Sequence, residues 1–148
     1  PQGFLRTPVG QETGLGCKIG QACPVRFTVT AIDINPPCRP YGRPADEGWK
    51  TVVLHVSMTT GQIDTTQARD ARLLFNVFTL QGITPDGVVS DVSFGWCGDH
   101  KNRLPSDVLP NSKYEGTIEI TVPEAVTSIA ASQDVMVSGA RGWVWPVD

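Results

Sequence analysis

Trp49-Lys-Thr-Val-Val-Leu-His-Val-Ser-Met-Thr59 carries Val52, Leu54, Val56 and Met58 at every second position, with Thr51, Val53, His55 and Ser57 between them. A two-residue period sends successive side chains to opposite faces, so this segment reads as a strand with one buried face, and we expect it to be central. The same period extends outward in both directions. Upstream, Val25, Phe27, Val29 and Ala31 alternate with Arg26, Thr28 and Thr30; downstream, Tyr114–Val122 sets Ile118, Ile120 and Val122 against Thr117, Glu119 and Thr121. Val88–Phe94 also alternates, Leu73–Leu80 is apolar on both faces, and short pieces lie at Val126–Ala130, Val135–Val137 and Trp143–Trp145.

Turn signals separate these runs: Asn35-Pro36-Pro37, Thr60-Gly61, Pro85-Asp86-Gly87, Pro110-Asn111-Ser112 and Ser138-Gly139. The one stretch with helical features is Asp64–Leu74, where Asp64 can cap and Ala68, Ala71 and Leu74 can face a core. It is short and otherwise polar, and reads as a loop or a single helical turn. Seven or more short strands with almost no helix predict an all-β sandwich or barrel. The 148 residues suit one domain, 1–148, with no internal repeat or linker. With 40% hydrophobic and 18% charged residues the chain is too apolar to be disordered. A formal net charge of −3 without any basic run gives no footprint for nucleic acid. No apolar run approaches the roughly 18 residues of a membrane-crossing helix.

Cys17, Cys23, Cys38 and Cys97 are even in number, lie outside the strand centres, and lack the paired spacing of a zinc site. They are expected to form two disulfides. Three pairings are open, and Cys17 with Cys23 plus Cys38 with Cys97 is favoured. Disulfides persist in oxidising compartments, so an exported protein is expected, secreted or anchored on the outer face of the cytoplasmic membrane. A start at Pro1 without a charged-then-apolar leader fits a mature protein or an ectodomain.

Asn35–Gly48 is the long irregular connection, with four prolines among its residues, and is expected to be an ordered loop. A second loop, Gly95–Pro110, carries Trp96, Cys97, Asp99, His100, Lys101 and Arg103. A Cys38–Cys97 bond would bring the two together at one end of the sandwich.

Leu109-Pro-Asn-Ser-Lys-Tyr-Glu-Gly-Thr-Ile-Glu-Ile-Thr-Val-Pro123 reads as a Pro-rich turn, a Gly just inside a strand, and an alternating strand closed by Pro. Together with Trp49–Thr59 and Gly142-Trp-Val-Trp-Pro146, it resembles the immunoglobulin-like secreted proteins and lipoprotein ectodomains of actinobacteria, such as mycobacterial immunoprotective extracellular antigen-like proteins. The resemblance spans residues 14–146 in order of elements. It implies an immunoglobulin-like antiparallel β-sandwich of about seven to nine strands and carries no catalytic motif. The four cysteines and the Pro-rich Cys38 loop depart from it, and function resides in sites grafted onto folds.

Residues able to do chemistry are sparse. His55 falls on a strand and reads as a cross-strand packing residue; His100 follows Asp99, but adjacency does not aim a carboxylate at a ring nitrogen. Ser57, Ser93 and Ser106 sit on no nucleophile turn. Asp86, Asp91, Asp99 and Asp107 lack calcium-loop periodicity, and Asp86-Gly87 suits a hairpin turn. Met58 and Met136 are isolated, so neither a metal nor a cofactor is expected. Of Trp49 and Trp143, one is expected to anchor the core; Trp143 and Trp145 share a face and are expected to pack inward. Trp96 is expected to be exposed, and with Arg39, Tyr41, Arg43, His100 and Arg103 to form an aromatic and cationic binding patch.

The sequence therefore predicts an exported, non-catalytic binding or structural module, with an unknown protein or an envelope glycan as partner. The alternative is a secreted protease inhibitor that presents the disulfide-held loop Pro36 to Pro44, with Arg39 or Arg43 as its specificity residue. A secreted hydrolase is a third, weaker reading.

Overall fold

The computed structural model describes residues 3–135 and 140–147. Two five-stranded sheets face each other. One has the order β1 (Leu5–Arg6), β10 (Ala140–Pro146), β9 (Ser128–Val135), β5 (Leu80–Ile83), β6 (Val89–Asp91). The other runs β2 (Glu12–Leu15), β3 (Val25–Ile34), β4 (Trp49–Thr60), β8 (Lys113–Pro123), β7 (Ser93–Phe94). All pairings are antiparallel except that of β1 with β10. This is an all-β sandwich. Among the described residues there are ten strands rather than the expected seven to nine, because two-residue strands such as β1 and β7 leave no periodic trace. Met136, Val137 and the Ser138-Gly139 turn lie outside the described residues.

β4 is central, paired with β3 on one side and β8 on the other. Its Val52, Leu54, Val56 and Met58 are buried, as are Ile120 and Val122 of β8. In β3 the alternation holds through Val29 and then breaks: Val29 opposes Val56 and Ala31 opposes His55, so Thr30 is an extra residue. One inserted residue reverses every later side chain. Ala31, expected inward, is exposed, and Ile32 packs on the core instead.

The facing sheet contributes Trp143 and Trp145, 1% and 0% exposed, with Ile129 and Ala131. Phe27 of β3 meets Trp143 edge-on with ring centroids 4.8 Å apart, and Phe75 stands 5.6 Å from Phe27 and 5.7 Å from Trp145. These rings join the two sheets. Trp49, by contrast, is 38% exposed at the start of β4, so the core anchor is Trp143.

Three further expectations need correction. Asp64–Leu74 is more than one turn: α1 spans Thr65–Leu74, with Asp64 accepting from the Gln67 N–H at 2.8 Å and Gln67 Oε1 accepting from the Asp64 N–H at 3.1 Å. This reciprocal cap satisfies donors that a helix start leaves unpaired, and burial of Ala71 and Leu74 supplies the packing. Leu73–Leu80 is consequently not a strand. It holds the end of α1 and a turn in which Thr79 and Leu80 N–H bond the Asn76 carbonyl. Its apolar content divides between buried Phe75, Val77 and Leu80 and exposed Phe78. Val88–Phe94 is likewise two strands, β6 in one sheet and β7 in the other, with buried Val92 at the step. Asp86-Gly87 does form the β5–β6 turn, where Gly87 N–H bonds the Thr84 carbonyl.

Candidate functional site

Cys38–Cys97 joins loop 35–48 to loop 95–112, and Cys17–Cys23 closes a short turn; no cysteine is free. Backbone hydrogen bonds reinforce the first junction: Arg39 N–H donates to the Cys97 carbonyl at 3.0 Å and Arg43 N–H to the Trp96 carbonyl at 2.8 Å. Arg39 Nε donates to the Gly98 carbonyl at 3.0 Å. Gly42 permits the close approach, since a Cβ there would stand 2.2 Å from the Cys97 carbonyl oxygen. The Pro-rich loop is therefore ordered by hydrogen bonds as well as by its prolines.

Beyond Cys97 the second loop turns back over β8. Leu104 N–H bonds the Thr117 carbonyl at 3.0 Å and Thr117 N–H bonds the Asn102 carbonyl at 2.7 Å, which seats the loop along the strand. Tyr114 Oη accepts from the Leu109 N–H at 2.8 Å. Under this loop lies Glu119, an outward position of β8 by sequence, yet its side chain is only 6% exposed. Its Oε2 accepts from the Cys97 N–H at 2.7 Å and its Oε1 from the Gly98 N–H at 2.8 Å. His100 Nε2 approaches Oε1 at 3.6 Å. Two charge-assisted bonds offset the burial of the carboxylate. Gly95 leaves room for it, because a Cβ there would fall 2.4 Å from Glu119 Oε2.

Asp99, the acidic neighbour of His100, accepts from the Lys101 N–H instead. His100 thus faces a carboxylate that lies 19 positions along the chain, a pairing invisible to local spacing. His55 also has an acidic partner, Asp33 Oδ2 at 2.8 Å across β3 and β4, on an exposed surface. Among the described residues, no three His, Cys, Asp or Glu side chains converge as metal ligands.

The six expected site residues fall into two groups. Trp96, His100 and Arg103 line a groove of about 640 Å³ between the α1 end and the second loop. Arg39, Tyr41 and Arg43 do not line it; they lie on the partner loop, with Tyr41 fully exposed at a φ of 66°. Trp96 is 56% exposed, and its ring stands 6.1 Å from Phe94 and 5.6 Å from His100. Phe78, 85% exposed, continues the row at 6.0 Å from Phe94. Phe78, Phe94, Glu119 and Arg72 are site-forming residues that the sequence reading missed. An outward-facing Phe in a short edge strand, Phe94, was the available signal.

No protein-family model matches the sequence, and no curated protein matches it. Two solved structures share the fold. A secreted protein from Mycobacterium tuberculosis, MPT63, is 12% identical, with a TM-score of 0.53 over 97% of both chains. An uncharacterized β-sandwich protein from Clostridium difficile 630 is 11% identical, with a TM-score of 0.57 over all of this chain and 97% of its own. At such identity the likeness is one of fold: this chain is a two-sheet β-sandwich of the kind seen in a secreted mycobacterial protein.

Proposed function

We propose that residues 1–148 form one exported, non-catalytic binding domain whose working surface is the disulfide-joined loop end of the sandwich. The observation that carries this reading is the exposed row Phe78–Phe94–Trp96, three rings in consecutive contact with the half-buried His100 at its inner end. A contiguous exposed aromatic patch is unusual on a soluble monomer and marks a contact surface. Arg39, Tyr41, Arg43 and Arg103 flank it with residue types over-represented among those that dominate binding energy. Two disulfides suit an extracytoplasmic setting. Among the described residues no helix is long and apolar enough to cross a membrane.

The inhibitor reading requires an extended, substrate-like segment. Loop Pro36–Pro44 instead curls, with a Gly42 N–H to Arg39 carbonyl bond and positive φ at Tyr41. We therefore favour a surface contact, with a protein or glycan of the cell envelope as partner and no cofactor. The test is retention of immobilised wild type, Trp96→Ala and Arg43→Ala protein on purified envelope polysaccharide and envelope protein fractions of the producing cell. We expect each variant to lose at least about tenfold in affinity for the retained component, the scale of a residue worth ~1.4 kcal/mol or more. Unchanged retention by both variants would remove the loop end as the working surface. A hydrolytic activity abolished by His100→Ala would replace the reading with an enzyme.

A further inference from the structure

We infer that the groove beside the aromatic row binds a small single-chain amphipathic carboxylate, its apolar tail between the sheets' margin and the second loop and its head between Arg72 and Arg103. The inference rests on the binding-domain reading and adds a ligand class to it. Much of the groove lining is apolar: Phe75, Val77, Leu104, Val108, Ile118 and Trp96 belong to it. Its volume, about 640 Å³, lies within the roughly 300–1,000 Å³ of small-molecule sites. This apolar part of the lining suits an aliphatic or aromatic body, and Asn76, Ser106 and Thr117 line the polar remainder.

Charge fixes the other end of the ligand. Although the whole chain is acidic, two guanidiniums, Arg72 at the end of α1 and Arg103 in the loop, line this groove against a single carboxylate, Glu119. Glu119 is already occupied by two backbone N–H groups and faces His100, so it does not neutralise either arginine. Neither Arg72 nor Arg103 has an ion-pair partner among the described residues. Both arginines are exposed at the groove's rim, and a guanidinium fork matches a carboxylate in bidentate geometry. The second cavity, of about 430 Å³, is lined by Asp46, Glu47 and Glu124 and repels the same head group. A bounded groove, rather than a flat apolar face, suits a monomeric molecule rather than a bilayer.

Calorimetric titration of the intact, oxidised protein with decanoate, decyltrimethylammonium and decyl maltoside, each below its micelle-forming concentration, tests the assignment. Decanoate should bind at least about tenfold more tightly than the cation, and Arg72→Gln with Arg103→Gln should erase that preference while leaving the melting temperature unchanged. Equal affinity for the anion and the cation overturns the assignment of the head group while leaving a binding groove in place. Absence of binding by all three probes overturns the groove as a small-molecule site, and leaves the aromatic row to be judged by envelope retention alone. Sedimentation with phosphatidylglycerol vesicles without any decanoate binding overturns it in favour of a membrane surface.

Discussion

Two rows of aromatic rings run through this protein, and they differ in what covers them. Phe27, Phe75, Trp143 and Trp145 are sealed between the sheets, at centroid spacings of 4.8 to 6.3 Å. Phe78, Phe94 and Trp96 make contacts of similar length, 6.0 and 6.1 Å, but 85%, 43% and 56% of their surfaces remain in water. Ring chemistry is the same in both rows; backbone placement is not. Phe27, Trp143 and Trp145 occupy inward positions of long paired strands, whereas Phe94 ends a two-residue edge strand and Phe78 and Trp96 lie in connections. The sealed row contributes to folding, and the open row leaves its surface in water.

Truncation should separate the rows. Trp143→Ala is expected to cost about 3–5 kcal/mol, as for a large aromatic removed from a packed core, and urea unfolding followed by far-ultraviolet circular dichroism measures it. A loss below about 1 kcal/mol would mean that the sealed row does not hold the sheets together. Next come the disulfides. Cys38 and Cys97 lie 59 residues apart and Cys17 and Cys23 only 6, so chain-entropy reasoning assigns about 4 kcal/mol to the first bond and about 2 to the second. Unfolding of the paired serine variants should follow that order, and the reverse order would show that the loop end contributes little to the stability of the scaffold beneath it. The smallest effect belongs to the open row. Trp96→Ala should change stability by no more than about 0.5 kcal/mol, and a loss comparable to that of Trp143→Ala would abolish the distinction between the rows.

Much of the scaffold could be read from periodicity, because β4 and β8 hold a strict alternation wherever one face is buried. The bulge at Thr30 defeats that reading, since an inserted residue leaves no compositional mark. α1 exceeds the single turn that its few apolar positions suggest; the Asp64 and Gln67 pair is the capping-box pattern that marks its start. At the candidate site, exposure of Trp96 and its proximity to the Cys38 loop follow from a polar loop and a plausible disulfide. Glu119 was out of reach: by alternation it faces water, and only the return of loop 95–112 over β8 buries it. Arg72 lies in a segment that reads as a loop or a single helical turn, and α1 carries it to the groove.

β1 is two residues long, yet it bears on the fate of the sealed row. Leu5 and Arg6 pair with Trp143 and Val144, Thr7 N–H bonds the Val144 carbonyl, and Arg141 N–H bonds the Gly3 carbonyl. Without them β10 would present an unpaired edge of its sheet, rich in tryptophan, on which a second molecule's strand could add. Gly3–Thr7 thus cover that edge, and Pro8, which has no N–H to donate, follows Thr7.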